Sequence, residues 1–532
     1  MRFLFERYFL FCVYFKSVKV ELTKNKVMKN KCRILFASII SIGISASLFS
    51  CKKSQVKSER LPDSQIKEGF VEIHGKLIDP KSQIPSLILR FQNPVTASES
   101  ITETQIEKDG SFYFEAPVEC STIFSSIYSP GFGGVLVELT SGEDIKVELN
   151  LDNTNNLKVV NSTGSRLLTA QDIENWNNVF GRYVEYNKIN VELICKMTPK
   201  EYAQYEMDMM KTRTDYAMKD VKFSDTGEKL INNELKLLHL EGVLLPYKER
   251  LEMLCRDKED LPPQEPDIQY YTFLKSFKLN NPQYLYSVNG YYHKIMQTLL
   301  SIKALNIPPV SEIPVEDWLS KVKATLSDFV GFDKGQFYDL LVANSYSMQF
   351  NDEVIPLSDK QKDNIKEYFG DGEIAKILLR KNEEIINLAK EKSGVVVNKT
   401  PDVPKEQLMN AIVSKYKNKV VLIDFWATWC SPCLDAMARI DAIKSQLKDK
   451  NIVFVYITNG SSPKGIWDKK INSIPGEHYY VNAGEWEYLM NNFGFEGIPS
   501  YVIFDTKGEM RNKFTGFPGN VELQTMIEKL LP

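Results

Sequence analysis

The stretch Trp429-Cys430-Ser431-Pro432-Cys433 decides the fold of the C-terminal part of this 532-residue chain. Two thiols separated by two residues can open and close a disulfide. An apolar strand pattern, Val420-Val421-Leu422-Ile423-Asp424-Phe425-Trp426, precedes them, and apolar residues at helical spacing follow. The pattern therefore places the dithiol at a strand-to-helix turn.

This position favours reactive sulfur. The first turn of a helix leaves backbone N–H groups unpaired and carries positive partial charge, and both stabilise a thiolate. Cys430 is exposed to that field, so we expect it to be the nucleophile. Pro432 suits an early helical position, where its missing N–H costs nothing. Cys433 lies deeper in the helix and is the expected resolving thiol.

Asp424 precedes Cys430 by six residues and would point inward from a buried strand. A buried carboxyl group has a raised pKa and can take the proton of the inner thiol. The alternative is a buried acid that is satisfied by hydrogen bonds and has no catalytic part.

The stretch from Asp424 to Cys433 resembles the active-site signature of the TlpA/ResA-like thiol-disulfide oxidoreductases, which belong to the thioredoxin superfamily. Gly497-Ile498-Pro499-Ser500 is a second marker of that resemblance. The resemblance implies an α/β thioredoxin-like fold over residues 395–532 and a cis proline that faces the dithiol. It also implies that Trp429, Ile498 and Pro499 bind substrate.

Three further residues are candidates for tuning the active site. Ser431 and Pro432 lie between the cysteines and shift the redox poise. Glu496 stands just before the Gly-Ile-Pro turn, where a carboxylate near the thiols would oppose thiolate formation. A solvated loop acid is the other interpretation of Glu496, and the one that its residue type favours.

The remaining cysteines give no metal site. Zinc ribbons also use Cys-x-x-Cys but need a second pair of ligands, and no other cysteines have that spacing. We therefore expect no metal and no cofactor besides the redox-active Cys430–Cys433 disulfide. Cys195 and Cys255 fall in helical patterns and are predicted to be buried small hydrophobic residues. With Cys120 they make an odd number, so at least one thiol should be free unless it pairs with a cysteine of another chain.

The N-terminal residues predict a secreted lipoprotein. Residues 28–50 combine a basic start with an apolar run and resemble a bacterial lipoprotein signal peptide that ends at Leu48-Phe49-Ser50-Cys51, with Cys51 as the lipidated residue. The run is short for a membrane span of roughly 20 residues, although a signal anchor is the alternative. Residues 1–27 are interpreted as an upstream start artefact, and the polar residues 51–68 as a tether.

Two more domains are predicted between the tether and the thioredoxin-like part. Residues 69–164 show alternating strands and a turn at Asp109-Gly110, which favours an antiparallel β-sandwich resembling the N-terminal β domains of Bacteroidetes lipoproteins. Residues 165–394 show helical periodicity, with capping boxes that begin at Thr198 and Ser358, and predict an α-helical domain. Tyrosine and methionine clusters, such as Tyr291-Tyr292, have two interpretations: they line a groove for substrate, or they fill the core of this helical domain.

These features together predict a periplasmic protein-disulfide reductase anchored by lipid, with the outer membrane preferred. Its expected partners are disulfide-containing periplasmic proteins, a membrane thiol electron donor and the membrane itself. A net charge of −3 without a clustered basic face gives no reason to expect nucleic acid. The main alternative is a substrate-binding or scaffold lipoprotein with an incidental redox module. A peroxidase is disfavoured because no Pro-x-x-x-Thr-x-x-Cys pattern surrounds Cys430.

Overall fold

The computed structural model describes residues 64–531, apart from residues 79–83, 85, 130, 153–155, 164–166, 187, 256–265, 354, 391–393 and 448–449. The predicted signal peptide, the lipid site at Cys51 and most of the predicted tether lie outside the described residues. Within the described part, no helix is both long enough and apolar enough to cross a bilayer.

The chain begins with strands that form two four-stranded sheets. These strands are β1 (Ile66–Leu77), β2 (Ser86–Asn93), β3 (Ser98–Gln105), β4 (Ser111–Cys120), β5 (Thr122–Tyr128), β6 (Gly134–Thr140), β7 (Asp144–Leu151) and β8 (Leu157–Ser162). One sheet has the order β4-β1-β7-β8 and the other the order β3-β2-β5-β6. The predicted β character of this region is confirmed, and Gly110 forms the expected turn with a φ of 86°.

Two details differ from the prediction. Strand β1 pairs with β7 in parallel, so this sheet is not antiparallel throughout. Because the chain passes through the other sheet between β1 and β7, no hairpin forces these two strands to run in opposite directions. Strand β1 also begins at Ile66, inside the predicted tether, because Ile66 already pairs with Cys120 across the sheet.

A helical region follows. Its α-helices are α1 (Ala170–Glu185), α2 (Val191–Ile194), α3 (Pro199–Met218), α4 (Asp225–His239), α5 (Tyr247–Leu254), α6 (Leu274–Phe277), α7 (Tyr291–Ser301), α8 (Val315–Val330), α9 (Gln336–Met348), α10 (Asp359–Phe369) and α11 (Glu373–Lys390). Short 3₁₀ turns (Ile268–Phe273, Pro282–Tyr286 and Lys303–Leu305) join some of them, and π-helical turns follow α4 at Leu240–Leu244 and α9 at Gln349–Glu353. Both predicted capping boxes are confirmed, at the starts of α3 and α10.

The helices and the first two sheets share one hydrophobic core, because a single cluster of buried side chains runs through both. Polar contacts reinforce this junction. Asn344 Nδ2 on α9 donates to the carbonyl oxygen of Pro94 at 2.8 Å, and Ser347 Oγ donates to that of Val95 at 3.0 Å. The helical region therefore packs directly on the turn between β2 and β3.

The prediction for Cys195 and Cys255 is wrong. They form a disulfide with a Cα–Cα distance of 5.8 Å, across 60 residues of sequence. Each cysteine caps the C-terminus of a helix, α2 and α5 respectively, so the bond fastens the two helix ends together. Both residues are half-buried. Cys120 is the free, buried thiol among the described cysteines.

The C-terminal part is an α/β unit around a six-stranded sheet of order β14-β13-β10-β11-β12-β9. Its strands are β9 (Val395–Asn398), β10 (Val420–Phe425), β11 (Ile452–Asn459), β12 (Gly476–Val481), β13 (Ser500–Phe504) and β14 (Met510–Thr515). Its helices are α12 (Lys405–Ser414), α13 (Ser431–Gln446), α14 (Lys464–Lys470), α15 (Ala483–Phe493) and α16 (Asn520–Glu528). Every residue of β10 is buried, since separate apolar clusters cover its two faces.

A buried ion pair joins this unit to the first sheets. Arg439 Nη2 on α13 lies 2.8 Å from Glu103 Oε2 on β3, and their side chains are only 8% and 6% exposed. The backbone N–H of Asn520, the first residue of α16, donates to the same carboxylate. The helix that follows the dithiol is thus fixed against the N-terminal β region.

Candidate active site

The dithiol lies at the N-terminus of α13, as the sequence predicts. Cys430 is the N-cap residue and Pro432 is in the first turn. The two sulfurs form a disulfide with a Cα–Cα distance of 5.3 Å, and the backbone N–H of Cys433 donates to Cys430 Sγ at 3.2 Å. When the bond opens, this N–H and the helix terminus favour the thiolate of Cys430.

The two cysteines differ little in burial. Cys433 is fully buried and Cys430 is 3% exposed. They share an apolar cluster with Trp426, Met437 and Trp467, against which Trp429 and Ile498 pack. Trp429 Nε1 also donates to Ser461 Oγ at 3.1 Å. The structure therefore brings the predicted substrate residues Trp429 and Ile498 to the dithiol, and the Ile498–Pro499 peptide bond is cis, as the resemblance implies.

Asp424 lies under this helix on the central strand. It is on the same face of β10 as Val420 and Leu422, whose side chains pack against α13. The residue is 1% exposed, and neither carboxyl oxygen has a hydrogen-bond partner among the described residues. Burial raises the pKa of Asp424 well above its ordinary value, and the charge of Lys444 opposes the rise only in part. The carboxyl group is thus not satisfied by hydrogen bonds, and its raised pKa makes the carboxylate a stronger base than an exposed one.

Two tyrosines missed by the sequence reasoning flank this acid. Tyr456 on β11 and Tyr501 on β13 stand opposite Asp424 in the sheet. Burial raises the pKa of Tyr456 to about 12 and that of Tyr501 well above its usual value, so both phenols stay protonated. Strand pairing alone brings these residues together, and a sequence pattern gives no register between distant strands.

The tuning candidates are placed unequally. Ser431 is exposed and Pro432 half-buried, and both line the cavity in front of the dithiol. Glu496 is exposed on its loop and is not among the residues that line this cavity.

Asp435 is a further acid on α13, two residues beyond Cys433. Burial and the negative charge of Glu99 raise its pKa to about 6, against the opposing charges of Arg439 and Arg90.

The cavity in front of the dithiol has a volume of about 1480 Å³. All three parts of the chain contribute to its walls. The C-terminal unit supplies residues 429–432, the first sheets supply residues around Arg90 and Glu99, and the helical region supplies the rest. Tyr291 lines the cavity, whereas the hydroxyl of buried Tyr292 donates to the carbonyl oxygen of Leu279. The tyrosine pair therefore divides between groove and core.

Within the described residues, no group of three or more His, Cys, Asp or Glu side chains lies close enough together to hold a metal ion. The chemistry available here is that of two sulfurs, a buried acid and a helix terminus.

Known proteins are similar in sequence to the part of the chain that carries the dithiol. A family model described as thioredoxin-like matches residues 418–510. Thioredoxin from Griffithsia pacifica is 37% identical over 86 residues, which are 16% of this chain and 73% of that relative. The chain belongs to the thioredoxin family. The thiol-disulfide oxidoreductase ResA of Geobacillus kaustophilus is 23% identical over 149 residues, or 27% of this chain and 84% of ResA.

Among solved structures, the thioredoxin domain of a thiol-disulfide oxidoreductase from Bacteroides vulgatus is 20% identical. The match spans 22% of this chain and 84% of the Bacteroides vulgatus chain, with a TM-score of 0.21. The family match and the ResA-type relatives establish the chain as a TlpA/ResA-like thiol-disulfide oxidoreductase. The residues matched by the family model, 418–510, all lie within the C-terminal unit.

Proposed function

We propose that this thioredoxin-family protein is a periplasmic protein-disulfide reductase, held to the membrane by a lipid on Cys51. The observation that carries the catalytic part is the Cys430–Cys433 pair at the start of α13, above the buried and unpaired carboxyl group of Asp424. This arrangement supplies a nucleophile, a resolving thiol and a proton acceptor in one place.

The reaction is a two-electron exchange. The Cys430 thiolate attacks one sulfur of a substrate disulfide, that S–S bond breaks, and the departing sulfur takes a proton. A mixed disulfide between Cys430 and the substrate remains. Cys433 then loses its proton to the ionised carboxylate of Asp424 and attacks Cys430 Sγ, which releases the second substrate thiol. The substrate gains two electrons and two protons, and the enzyme is left with the Cys430–Cys433 disulfide.

A membrane thiol donor then returns two electrons to the Cys430–Cys433 disulfide, as expected for the TlpA/ResA-like group. During exchange, the backbone at Ile498–Pro499 aligns the incoming chain as an added strand. Ile498 packs against the cluster that contains both cysteines, which supports this role.

The Cys195–Cys255 disulfide supports the proposed periplasmic location. The Cys195–Cys255 bond lies outside the Cys-x-x-Cys motif, and structural disulfides of this kind persist in oxidising compartments such as the periplasm. The lipoprotein-like sequence of residues 28–50 supports the same location. Expression of a Cys51→Ala variant should therefore move the protein from the membrane fraction to the soluble fraction, and an unchanged membrane fraction would contradict the lipid anchor.

The deciding experiment is the reduction potential of the Cys430–Cys433 pair, equilibrated against dithiothreitol or glutathione and measured by thiol alkylation. A value near the ~−270 mV of thioredoxin is expected for a reductase. A value near the ~−120 mV of strong oxidants would reverse the direction of electron flow. The Cys195–Cys255 pair, replaced by alanines in a parallel sample, controls for alkylation at the wrong disulfide. If no reversible disulfide is found at all, the scaffold alternative replaces the enzyme.

A further inference from the structure

We propose that the cavity in front of the dithiol binds an extended polypeptide segment that carries the disulfide, and that the helical region and the first sheets provide this site. The inference rests on the proposed reductase function and names its substrate class. It concerns walls that lie outside the residues matched by the thioredoxin-like family model.

Access to the nucleophile is the first argument. Cys430 is only 3% exposed, yet it lines the cavity together with Trp429 and Pro432. The walls also include Glu241, which follows α4, and Gln297 on α7. A substrate disulfide that approaches Cys430 through this cavity must therefore pass between the thioredoxin-like unit and the helical region.

The size of the cavity is the second argument. Its volume of 1480 Å³ exceeds the roughly 300–1,000 Å³ of common small-molecule sites. It is far too small for a folded domain, because a 100-residue domain has a radius of gyration of about 13 Å. A chain segment of several residues fits between these limits. We therefore expect disulfides in unfolded or extended chains to react, and those inside intact domains to be excluded.

The chemistry of the walls is the third argument. Three tyrosines lie along the helical wall, and aromatic rings give broad contact surfaces to a peptide. The charged wall residues are balanced in sign: four are basic and four acidic, namely Arg90, Lys248, Lys294, Lys303, Glu99, Glu241, Glu249 and Glu252. Such a surface selects neither a strongly anionic nor a strongly cationic ligand, and it suits a polypeptide of mixed sequence.

The backbone of the wall is irregular at this point. The π-helical turn Leu240–Leu244 contributes Glu241 and Gly242 to the cavity, and π-helical turns are frequent at functional sites. Tyrosine hydroxyls hold the end of this turn: Tyr202 donates to the carbonyl oxygen of Val243, and Tyr270 to that of Leu244. The wall is therefore held in one shape, as a binding surface requires.

A pair of matched variants tests the site. Ser301 lies on the cavity wall, and Ser320 on α8 is not among the lining residues. Both are exposed helical serines whose Oγ donates to the carbonyl oxygen four residues earlier, at 2.8 and 2.9 Å. Ser301→Trp should fill part of the cavity, and Ser320→Trp should add the same side chain elsewhere. Lys303→Trp, at the same edge of the cavity, serves if Ser301→Trp does not fold.

Three substrates are compared with the full-length chain: a disulfide-bridged ten-residue peptide, oxidised glutathione and native ribonuclease A. For the peptide, kcat/KM should fall at least tenfold in Ser301→Trp and stay unchanged in Ser320→Trp. The rate with glutathione disulfide should stay unchanged in Ser320→Trp, and in Ser301→Trp it should fall less than the peptide rate does. Native ribonuclease A should react at least tenfold more slowly than the peptide.

The outcomes separate the two proposals. Equal peptide rates for Ser301→Trp and Ser320→Trp would overturn the binding site, as would rapid reduction of native ribonuclease A. A parallel fall for peptide and glutathione in Ser301→Trp would also overturn it, because the obstruction would then not select for chain length. A wild-type protein that fails to react even with glutathione disulfide instead contradicts the reductase function.

Discussion

Removing the Cys195–Cys255 disulfide should destabilise the helical region by several kcal/mol. A cross-link lowers the entropy of the unfolded chain in proportion to the logarithm of the loop that it closes. With a separation of 60 residues, the chain-entropy relation gives about 4 kcal/mol at 25 °C. The same relation gives only about 2 kcal/mol for the Cys430–Cys433 bond, whose separation is 3 residues. The two disulfides thus provide an internal comparison within one chain.

The assay is native-state amide hydrogen exchange, because it reports local unfolding free energies for each region separately. The Cys195→Ala/Cys255→Ala variant should lose more protection in α3 and α5 than the Cys430→Ala/Cys433→Ala variant loses in α13. If the short-loop variant is the more strongly affected, loop entropy does not explain the stabilisation. The Cys195→Ala/Cys255→Ala variant should also discriminate less between peptide and native protein substrates, because α5 forms part of the cavity wall.

Three further predictions concern charged groups. Asp424→Asn should slow resolution of the mixed disulfide by about 100-fold in single-turnover experiments. Since the native pKa of Asp424 is raised, this group makes wild-type stability fall as pH rises from its unfolded pKa through its native one. The slope of stability against pH in urea titrations should therefore be smaller in the variant. Glu103→Gln should cost about 3 kcal/mol in urea unfolding because it leaves a buried arginine unpaired, whereas Glu192→Gln, in an exposed pair, should cost almost nothing. Asp435→Asn should speed alkylation of reduced Cys430 above about pH 6, where the wild-type carboxyl group is ionised and its negative charge disfavours the thiolate. An equal acceleration at pH 5 would contradict a charge effect.

The parts of the fold that sequence predicts are those with a local signal. The dithiol turn, the capping boxes and the buried position of Asp424 each depend on residues within one or two turns of each other. The partners of Asp424 do not: Tyr456 and Tyr501 reach it through strand pairing across more than 30 and 70 residues of sequence. A pattern within one strand cannot specify such a register with another strand.

The sequence did not predict the Cys195–Cys255 disulfide for a related reason. Apolar neighbours precede each cysteine at helical spacing, which favours a buried position in a helix interior. In the structure each cysteine instead ends its helix, where the chain turns and the side chain can reach another element. Pairing of distant cysteines depends on the geometry of these ends, and spacing in the sequence does not encode it.

The Arg439–Glu103 ion pair connects the N-terminal β region directly to the active-site helix α13. A buried ion pair adds little net stability, because desolvation of both charges offsets their attraction, but its geometry is demanding. Arg439 lies less than two turns beyond Cys433 on α13, and the ring of Phe517 packs against its guanidinium group at 4.5 Å. Fixing this side chain to β3 also fixes the direction in which the N-terminus of α13 points. The neighbouring strand β2 carries Arg90, which lines the cavity, so the contact that orients the dithiol is continuous with the wall that faces it. Under the proposed function, the N-terminal region would limit which disulfides reach Cys430, and the thioredoxin-like unit would perform the exchange.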